Sequence, residues 1–189
     1  MHQIVERLYG IKMKKISILN PLLDKEGKTN KVSQGWYTNN IEIYEVYKDN
    51  LLISYYFLDA FYRPEKRSGA WASNIRPRFL GSTPVMLNVC NFSPANQDGI
   101  SLLTKSDVET LFHEFGHALH EMSSRSQHSE LSGFGVEWDF VEVPSQFMEH
   151  WTETKESLDI FAKHYQTADT IPEELITNMQ VASQIGNGI

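Results

Sequence analysis

Hydrophobic and polar positions alternate along two neighbouring stretches in the first third of the chain. Residues 41–47 alternate and are rich in β-branched and aromatic side chains, which is typical of a half-buried strand. Residues 51–62 continue the pattern after the polar residues 48–50, so the two stretches predict an antiparallel hairpin. A third strand is predicted over 84–92. Between these strands, 63–78 is expected to form a loop whose basic side chains face solvent.

Helical spacing of apolar side chains predicts a helix over residues 1–9 that ends at Gly10. A second helix carries residues 111–120, and its apolar side chains surround most of the axis, as in a buried helix. Ser106 or Asp107 is expected to cap its start. The first of these helices precedes the predicted strands in the sequence, and the second follows them.

Three further helices are predicted towards the end of the chain. One begins at or near Glu142 and has Pro144 in its first turn, where the missing N–H costs little. The next covers residues 158–165, and the last begins near Pro172. The polar residues 24–31 are expected to form a surface loop. These elements predict an α+β fold, mostly helical, with a small antiparallel sheet.

Composition limits the partners that the chain can have. It has 189 residues, of which 41% are hydrophobic and 22% charged, as expected for one globular core. The net charge of −7 argues against nucleic acid as a partner, and no apolar run approaches the roughly 20 residues of a membrane span. Cys90 is the single cysteine, so no internal disulfide can form. Without a visible signal peptide, the sequence favours a cytoplasmic location.

The stretch from His113 to His117 reads H-E-F-G-H and carries the candidate chemistry. His113 and His117 lie one helical turn apart on the same face, where both imidazoles can bind one metal ion. Glu114 lies beside them and can act as a general base, as in zinc metalloproteases. The motif also occurs by chance, but two imidazoles and a carboxylate in an apolar helix cost free energy unless they are partnered. Gly116 is expected to let another element approach this helix closely.

A catalytic zinc site needs a third protein ligand. Glu142 is the preferred candidate because the Ser- and Gly-rich loop 123–135 can return the chain to the first helix. Spacing alone leaves three competing acidic residues open: Glu137, Asp139 and Glu149.

Two side chains near the motif have alternative roles. Glu109 can form a capping box with Ser106 or orient the imidazole of His113, and the second role is favoured slightly. His120 is interpreted as a structural histidine. A purely structural metal site, closed by His120 or Glu109 as a fourth ligand, remains an alternative.

Residues 112–120 and 139–146 together resemble the thimet oligopeptidase, oligopeptidase A and dipeptidyl carboxypeptidase family. The similarity covers nearly the whole chain from about Trp36 onward. It implies a zincin-like catalytic core that cuts short peptides, with one zinc ion bound by His113, His117 and Glu142 and with Glu114 as the catalytic carboxylate.

The resemblance also implies a role for the strand over 84–92. In related peptidases the corresponding strand is a sheet edge that pairs with the substrate backbone. Val89, Cys90 and Asn91 are therefore candidate substrate-binding residues, with an ordinary interior strand as the equal alternative. Because family members are several times longer, residues 1–189 are expected to be the catalytic-core portion of a longer enzyme. The rival hypothesis is a zinc-loaded peptide-binding piece without activity.

Overall fold

The computed structural model describes residues 1–16 and 41–184. The surface loop expected at 24–31 lies outside these residues. Helices and a β-sheet occur in the same described unit, which confirms the predicted α+β class. Of the described helices, none is both long enough and apolar enough to cross a bilayer.

Five strands form one sheet in the described part of the chain. Their spatial order is β1-β2-β3-β5-β4. The strands are β1 (Ile11–Ile16), β2 (Ile41–Lys48), β3 (Leu51–Phe61), β4 (Trp71–Arg76) and β5 (Val85–Phe92).

The hairpin predicted from alternation is confirmed, because β2 and β3 pair antiparallel. Their turn consists of Asp49 and Asn50, with φ angles of 51° and 59°. Positive φ at both central residues matches the right-handed twist of the flanking strands, and Asn and Asp tolerate it better than most residues.

Two predictions about the sheet are wrong. The sheet is mixed, because β3 and β5 pair parallel, so it is not a purely antiparallel sheet. Residues 71–76, predicted as loop, form β4, which pairs antiparallel with β5. β4 is short, contains polar residues and lies between Gly69 and Pro77, so its sequence shows turn signals more strongly than strand alternation.

Five helices accompany the sheet in the described residues. They are α1 (His2–Tyr9), α2 (Lys105–Ser123), α3 (Val143–Glu149), α4 (Lys155–Phe161) and α5 (Glu173–Gln184). Gly10 ends α1 in the left-handed conformation, as predicted. The predicted cap of α2 is wrong. Thr104 caps the helix, and the carboxylate of Asp107 accepts a hydrogen bond from the Thr104 N–H in return.

The main core lies between α2 and one face of the sheet. Tyr56 of β3 and Met86 of β5 are fully buried against Phe112 and Phe115 of α2. The rings of Tyr56 and Phe115 meet edge to face, with their centroids 5.2 Å apart. Because bulky side chains interlock across this layer, α2 has a fixed orientation on the sheet.

A cluster of largely buried charged side chains lies near the end of β3. Arg63 donates two hydrogen bonds to the Asp59 carboxylate, at 2.7 and 2.8 Å. Lys66, with only 3% of its side chain exposed, donates to the Asp59 carboxylate at 2.9 Å and to the Phe61 carbonyl at 3.0 Å. The expectation that the basic side chains of this loop face solvent is therefore wrong for Arg63 and Lys66. They tie the loop to the strand.

Candidate metal centre

The α2 helix presents His113 and His117 on one face, as the four-residue spacing predicts. Their ring centroids are 4.9 Å apart and the rings are nearly perpendicular. His117 is nearly buried, whereas 28% of the His113 side chain is exposed. Burial lowers the pKa of His117, with the nearby Glu142 carboxylate acting in the opposite direction. The lowered pKa favours the neutral imidazole that a metal requires.

Glu142 completes a cluster of three potential ligands at the start of α3. Its Oε2 atom lies 3.2 Å from Nε2 of His113 and 3.1 Å from Nε2 of His117. One ligand atom from each residue lies within 4.8 Å of the other two. Bonds of about 2.0–2.2 Å in a tetrahedral zinc site place ligand atoms roughly 3.4 Å apart, so the donor types and the two N–O spacings fit zinc.

Gly116 permits the close approach of α3 to α2. A Cβ atom on this residue would lie 2.5 Å from the carbonyl oxygen of Pro144 and 2.5 Å from Cα of Ser145. Both atoms belong to the backbone that follows Glu142, so they cannot move aside as a side-chain end could. The sequence-based expectation of a close approach at Gly116 is confirmed, and this contact brings Glu142 to the histidines.

Replacing Gly116 by Ala is expected to displace α3 and weaken both the fold and metal binding. Overpacking of this kind costs about 1–3 kcal/mol of unfolding free energy. Urea unfolding of the metal-free protein and zinc affinity by chelator competition measure the two effects. Ser106→Ala, on the exposed first turn of α2, is the matched control. Unchanged zinc affinity in Gly116→Ala would show that the contact does not position Glu142.

Two further side chains of α3 contact the ligand residues. Nδ1 of His113 is hydrogen-bonded to the Glu149 carboxylate. The hydroxyl of Ser145 lies 2.8 Å from Oε2 of Glu142. The prediction that Glu109 orients His113 is not supported, because its carboxylate accepts a hydrogen bond from Lys105 at 2.5 Å instead. Glu149 was predicted only as a competing ligand, although it follows Glu142 by about two helical turns on the same face.

Glu114 is the candidate general base and follows His113 directly on α2. The residue is buried, with 8% exposed. Burial raises the pKa of Glu114, the charge of His113 lowers it, and the negative charge of Glu142 raises it further, so the net direction is upward. A carboxylate with a raised pKa accepts a proton more readily than an exposed one.

The other candidate ligands lie outside the cluster. Glu137 and Asp139 are exposed on the turn before Glu142. His120 faces the ring of Phe140 at a centroid distance of 6.2 Å, and burial lowers its pKa against the opposing influence of Glu121. Among the described residues, the cluster therefore has two histidines and one carboxylate, without His120 or Glu109 as a fourth member.

Of the two equal alternatives for the strand that carries Val89, Cys90 and Asn91, the structure shows the interior strand and not the sheet edge. Their strand, β5, lies inside the sheet between β3 and β4. Val89 pairs with Asp59 of β3 and with Trp71 of β4, whereas Cys90 and Asn91 lie beyond the last residue pair between β5 and β4. Val89 and Cys90 are buried, and the Asn91 amide donates to the carbonyl oxygen atoms of two residues in the preceding loop. Among the described strands, β4 lies at this edge of the sheet, and it also packs against α2.

Comparison with known proteins places these features in a family. The profile described as "Peptidase family M3" matches residues 1–189. The chain is 35% identical over 189 residues to Oligopeptidase A of Escherichia coli (strain K12), an alignment that covers 96% of this chain and 26% of that protein.

Two other relatives match over shorter stretches of this chain. Organellar oligopeptidase A, chloroplastic/mitochondrial, of Arabidopsis thaliana is 42% identical over 158 residues, which is 77% of this chain and 20% of that protein. Dipeptidyl carboxypeptidase of Escherichia coli (strain K12) is 37% identical over 155 residues, covering 80% and 23% of the two chains. The chain thus spans about a fifth to a quarter of the length of these curated relatives.

Proposed function

Because the chain belongs to peptidase family M3, we propose that it is the catalytic-core portion of a zinc-dependent peptidase that hydrolyses bonds in short peptides. The reaction is that of a metalloendopeptidase or a peptidyl-dipeptidase. The observation that carries this proposal is the convergence of His113, His117 and Glu142 beside Glu114.

The ligand set supports a catalytic site in preference to a purely structural one. Catalytic zinc sites have three protein ligands and leave a position for water or substrate, whereas structural sites are closed by four. In the described residues the cluster has three members, and Glu142 is half-exposed. The cluster therefore has an accessible side from which a peptide can approach.

The proposed mechanism assigns the proton transfers to Glu114. When bound, zinc supplies Lewis-acid chemistry, since it polarises the scissile carbonyl and makes water easier to deprotonate. Glu114 removes the proton from the attacking water and then donates it to the leaving amine. Its burial supports this role, because it raises the pKa of Glu114 and so makes the carboxylate a better proton acceptor.

We assign peptide binding to the outer edge of β4 and not to β5. An edge strand has backbone N–H and C=O groups that an extended peptide can pair with. β4 packs against α2, which also carries both histidines. A peptide added to this edge would extend the sheet that packs against the helix carrying both histidines, and its alternate side chains would point to opposite faces of that sheet.

Hydrolysis of a short fluorogenic peptide by the purified protein tests the proposal. We expect turnover that is abolished by a chelator, restored by zinc, and absent in the His113→Ala/His117→Ala double variant. Turnover that persists in the chelator or in the double variant would contradict a zinc mechanism.

The alternative function is peptide binding without turnover. The observation that favours it is that this chain spans only about a fifth to a quarter of each relative's length. Side chains that stabilise the transition state can lie in the part of those proteins that this chain does not span. Zinc-dependent binding of the peptide by fluorescence anisotropy, without cleavage, would identify this alternative.

A reducing compartment such as the cytoplasm is proposed for the protein, because Cys90 is a buried free thiol.

A further inference from the structure

The α3 helix places three polar side chains towards the histidines of α2. Glu142 is its N-cap residue, Ser145 lies in the first turn and Glu149 is its last residue. Spacings of three and seven residues put these positions on one face of a helix. That face meets α2 where Gly116 allows the two backbones to touch.

We propose that Ser145 and Glu149 are positioning residues for the metal site, with Ser145 holding the Glu142 carboxylate and Glu149 holding the His113 imidazole. This inference rests on the proposed function, since it concerns how the same cluster binds zinc. It makes α3 the source of one ligand and of the groups that orient two of the three.

Ser145 is suited to hold Glu142 because it is itself immobile. The residue is fully buried, and its hydroxyl lies 2.8 Å from both the backbone carbonyl and Oε2 of Glu142. That Oε2 atom is the one that faces both histidines. The Glu142 side chain is 48% exposed, so neighbouring packing restrains it little, and the buried hydroxyl supplies a fixed donor.

Glu149 is suited to hold His113 because it contacts the ring nitrogen that faces away from the cluster. A carboxylate on Nδ1 keeps the proton there and leaves the Nε2 lone pair directed at Glu142 and the metal position. Without this contact, the partly exposed ring of His113 could turn about its side-chain bonds or change tautomer.

His117 needs no equivalent partner for its orientation. Its Nδ1 is buried without a hydrogen-bond partner among the described residues. Instead, its ring is enclosed by packing and lies 5.8 Å, between centroids, from the ring of Phe134. The two histidines are therefore held differently: His117 by burial and His113 by Glu149.

Glu109 offers a matched control for Glu149. Both are carboxylates near His113, Glu109 one turn before it on α2 and Glu149 on the neighbouring α3. Glu109, however, accepts a hydrogen bond from Lys105, which also donates to Glu153. Removing the charge of Glu109 changes the local electrostatics of the site without removing a contact to a ligand.

Zinc affinity, measured by chelator competition on the 189-residue protein, tests the proposal. Outer groups that orient ligands typically contribute 10–100-fold to metal affinity. We expect about 100-fold weaker binding in Glu149→Ala and about 10-fold in Ser145→Ala. Glu149→Gln keeps an acceptor for Nδ1–H and should lose less than Glu149→Ala, and Glu109→Gln should bind as tightly as the unmodified protein.

A second measurement separates orientation from stability. In the metal-free protein, the ¹⁵N chemical shifts of His113 report which ring nitrogen carries the proton. We expect Glu149→Ala to shift the Nδ1–H tautomer towards a mixture, and Glu149→Gln to retain it. Circular dichroism shows whether each variant folds; if Glu149→Ala does not, Glu149→Gln and Ser145→Ala decide the outcome through the same two measurements.

The outcomes distinguish this inference from the proposed function. If the unmodified protein binds zinc and the folded Glu149 and Ser145 variants bind it as tightly as Glu109→Gln, the positioning role is overturned while the zinc site stands. If the unmodified protein binds no zinc, the proposed function fails first, and this inference fails with it.

Discussion

Replacing Glu114 by Gln is expected to leave zinc binding intact and to lower peptide turnover by about 10²–10⁴-fold, the usual contribution of a general base. The amide has nearly the same size as the carboxylate, so the helix and its two histidines should keep their geometry. It cannot accept the proton that the attacking water must lose. The measurements are kcat for a short fluorogenic peptide and bound zinc by metal analysis.

Glu109→Gln is the control for this experiment, because it removes the same charge from the same helix at a residue paired with Lys105. It should keep nearly full turnover. A Glu114→Gln protein that turns over peptide at the unmodified rate would remove Glu114 from the mechanism. Loss of zinc in the same variant would instead assign it a role in holding the metal.

Replacing Asp59 by Asn is expected to destabilise the protein by about 3–5 kcal/mol, because removing one partner of a buried ion pair leaves an uncompensated charge. Lys66 and Arg63 both direct their charges at this carboxylate, and the Lys66 side chain is almost inaccessible to solvent. The free energy of unfolding in urea at pH 7 measures the loss. Asp159→Asn, which removes an exposed pair with Lys155, should lower the stability far less.

The Asp59 effect should also depend on pH. Burial is the largest influence and opposes ionisation, but the hydrogen bonds and charges of Arg63 and Lys66 outweigh it, so the pKa of Asp59 is lowered. A lowered folded-state pKa contributes stability that is full above the unfolded value of about 3.9 and is lost as pH falls through the folded value. The difference between Asp59→Asn and the unmodified protein should therefore shrink below about pH 4. A difference that stays constant down to pH 2 would contradict this assignment.

Local patterns predicted the hairpin and the helix that carries the histidines. Alternation over β2 and β3 and the polar turn between them involve residues close in sequence, so the pattern and the pairing coincide. The spacing of His113 and His117 is likewise a property of a single helix. The loop before its helix and the proline in the first turn favoured Glu142 only modestly over other acidic residues, the family resemblance implied it as the ligand, and the structure brings it to the pair.

Features that depend on distant pairing could not be predicted in this way. Whether β5 lies inside the sheet depends on β4, whose own sequence resembles a loop. The partner of His113 is Glu149, and the spacing rules that favoured Glu109 could not show that Lys105 would engage Glu109 instead. Likewise, the buried positions of Arg63 and Lys66 depend on Asp59, a single acidic residue at the end of a strand.

X-ray absorption spectroscopy of the zinc-loaded protein tests whether His113, His117 and Glu142 bind one zinc ion together. We expect one zinc ion per chain, with two imidazole nitrogens at about 2.0–2.1 Å and oxygen ligands at about 2.0–2.2 Å, and a changed spectrum in Glu142→Ala. Three results would each contradict this zinc site. They are failure to bind one equivalent of zinc, a spectrum with fewer than two imidazoles, and a spectrum that Glu142→Ala leaves unaltered.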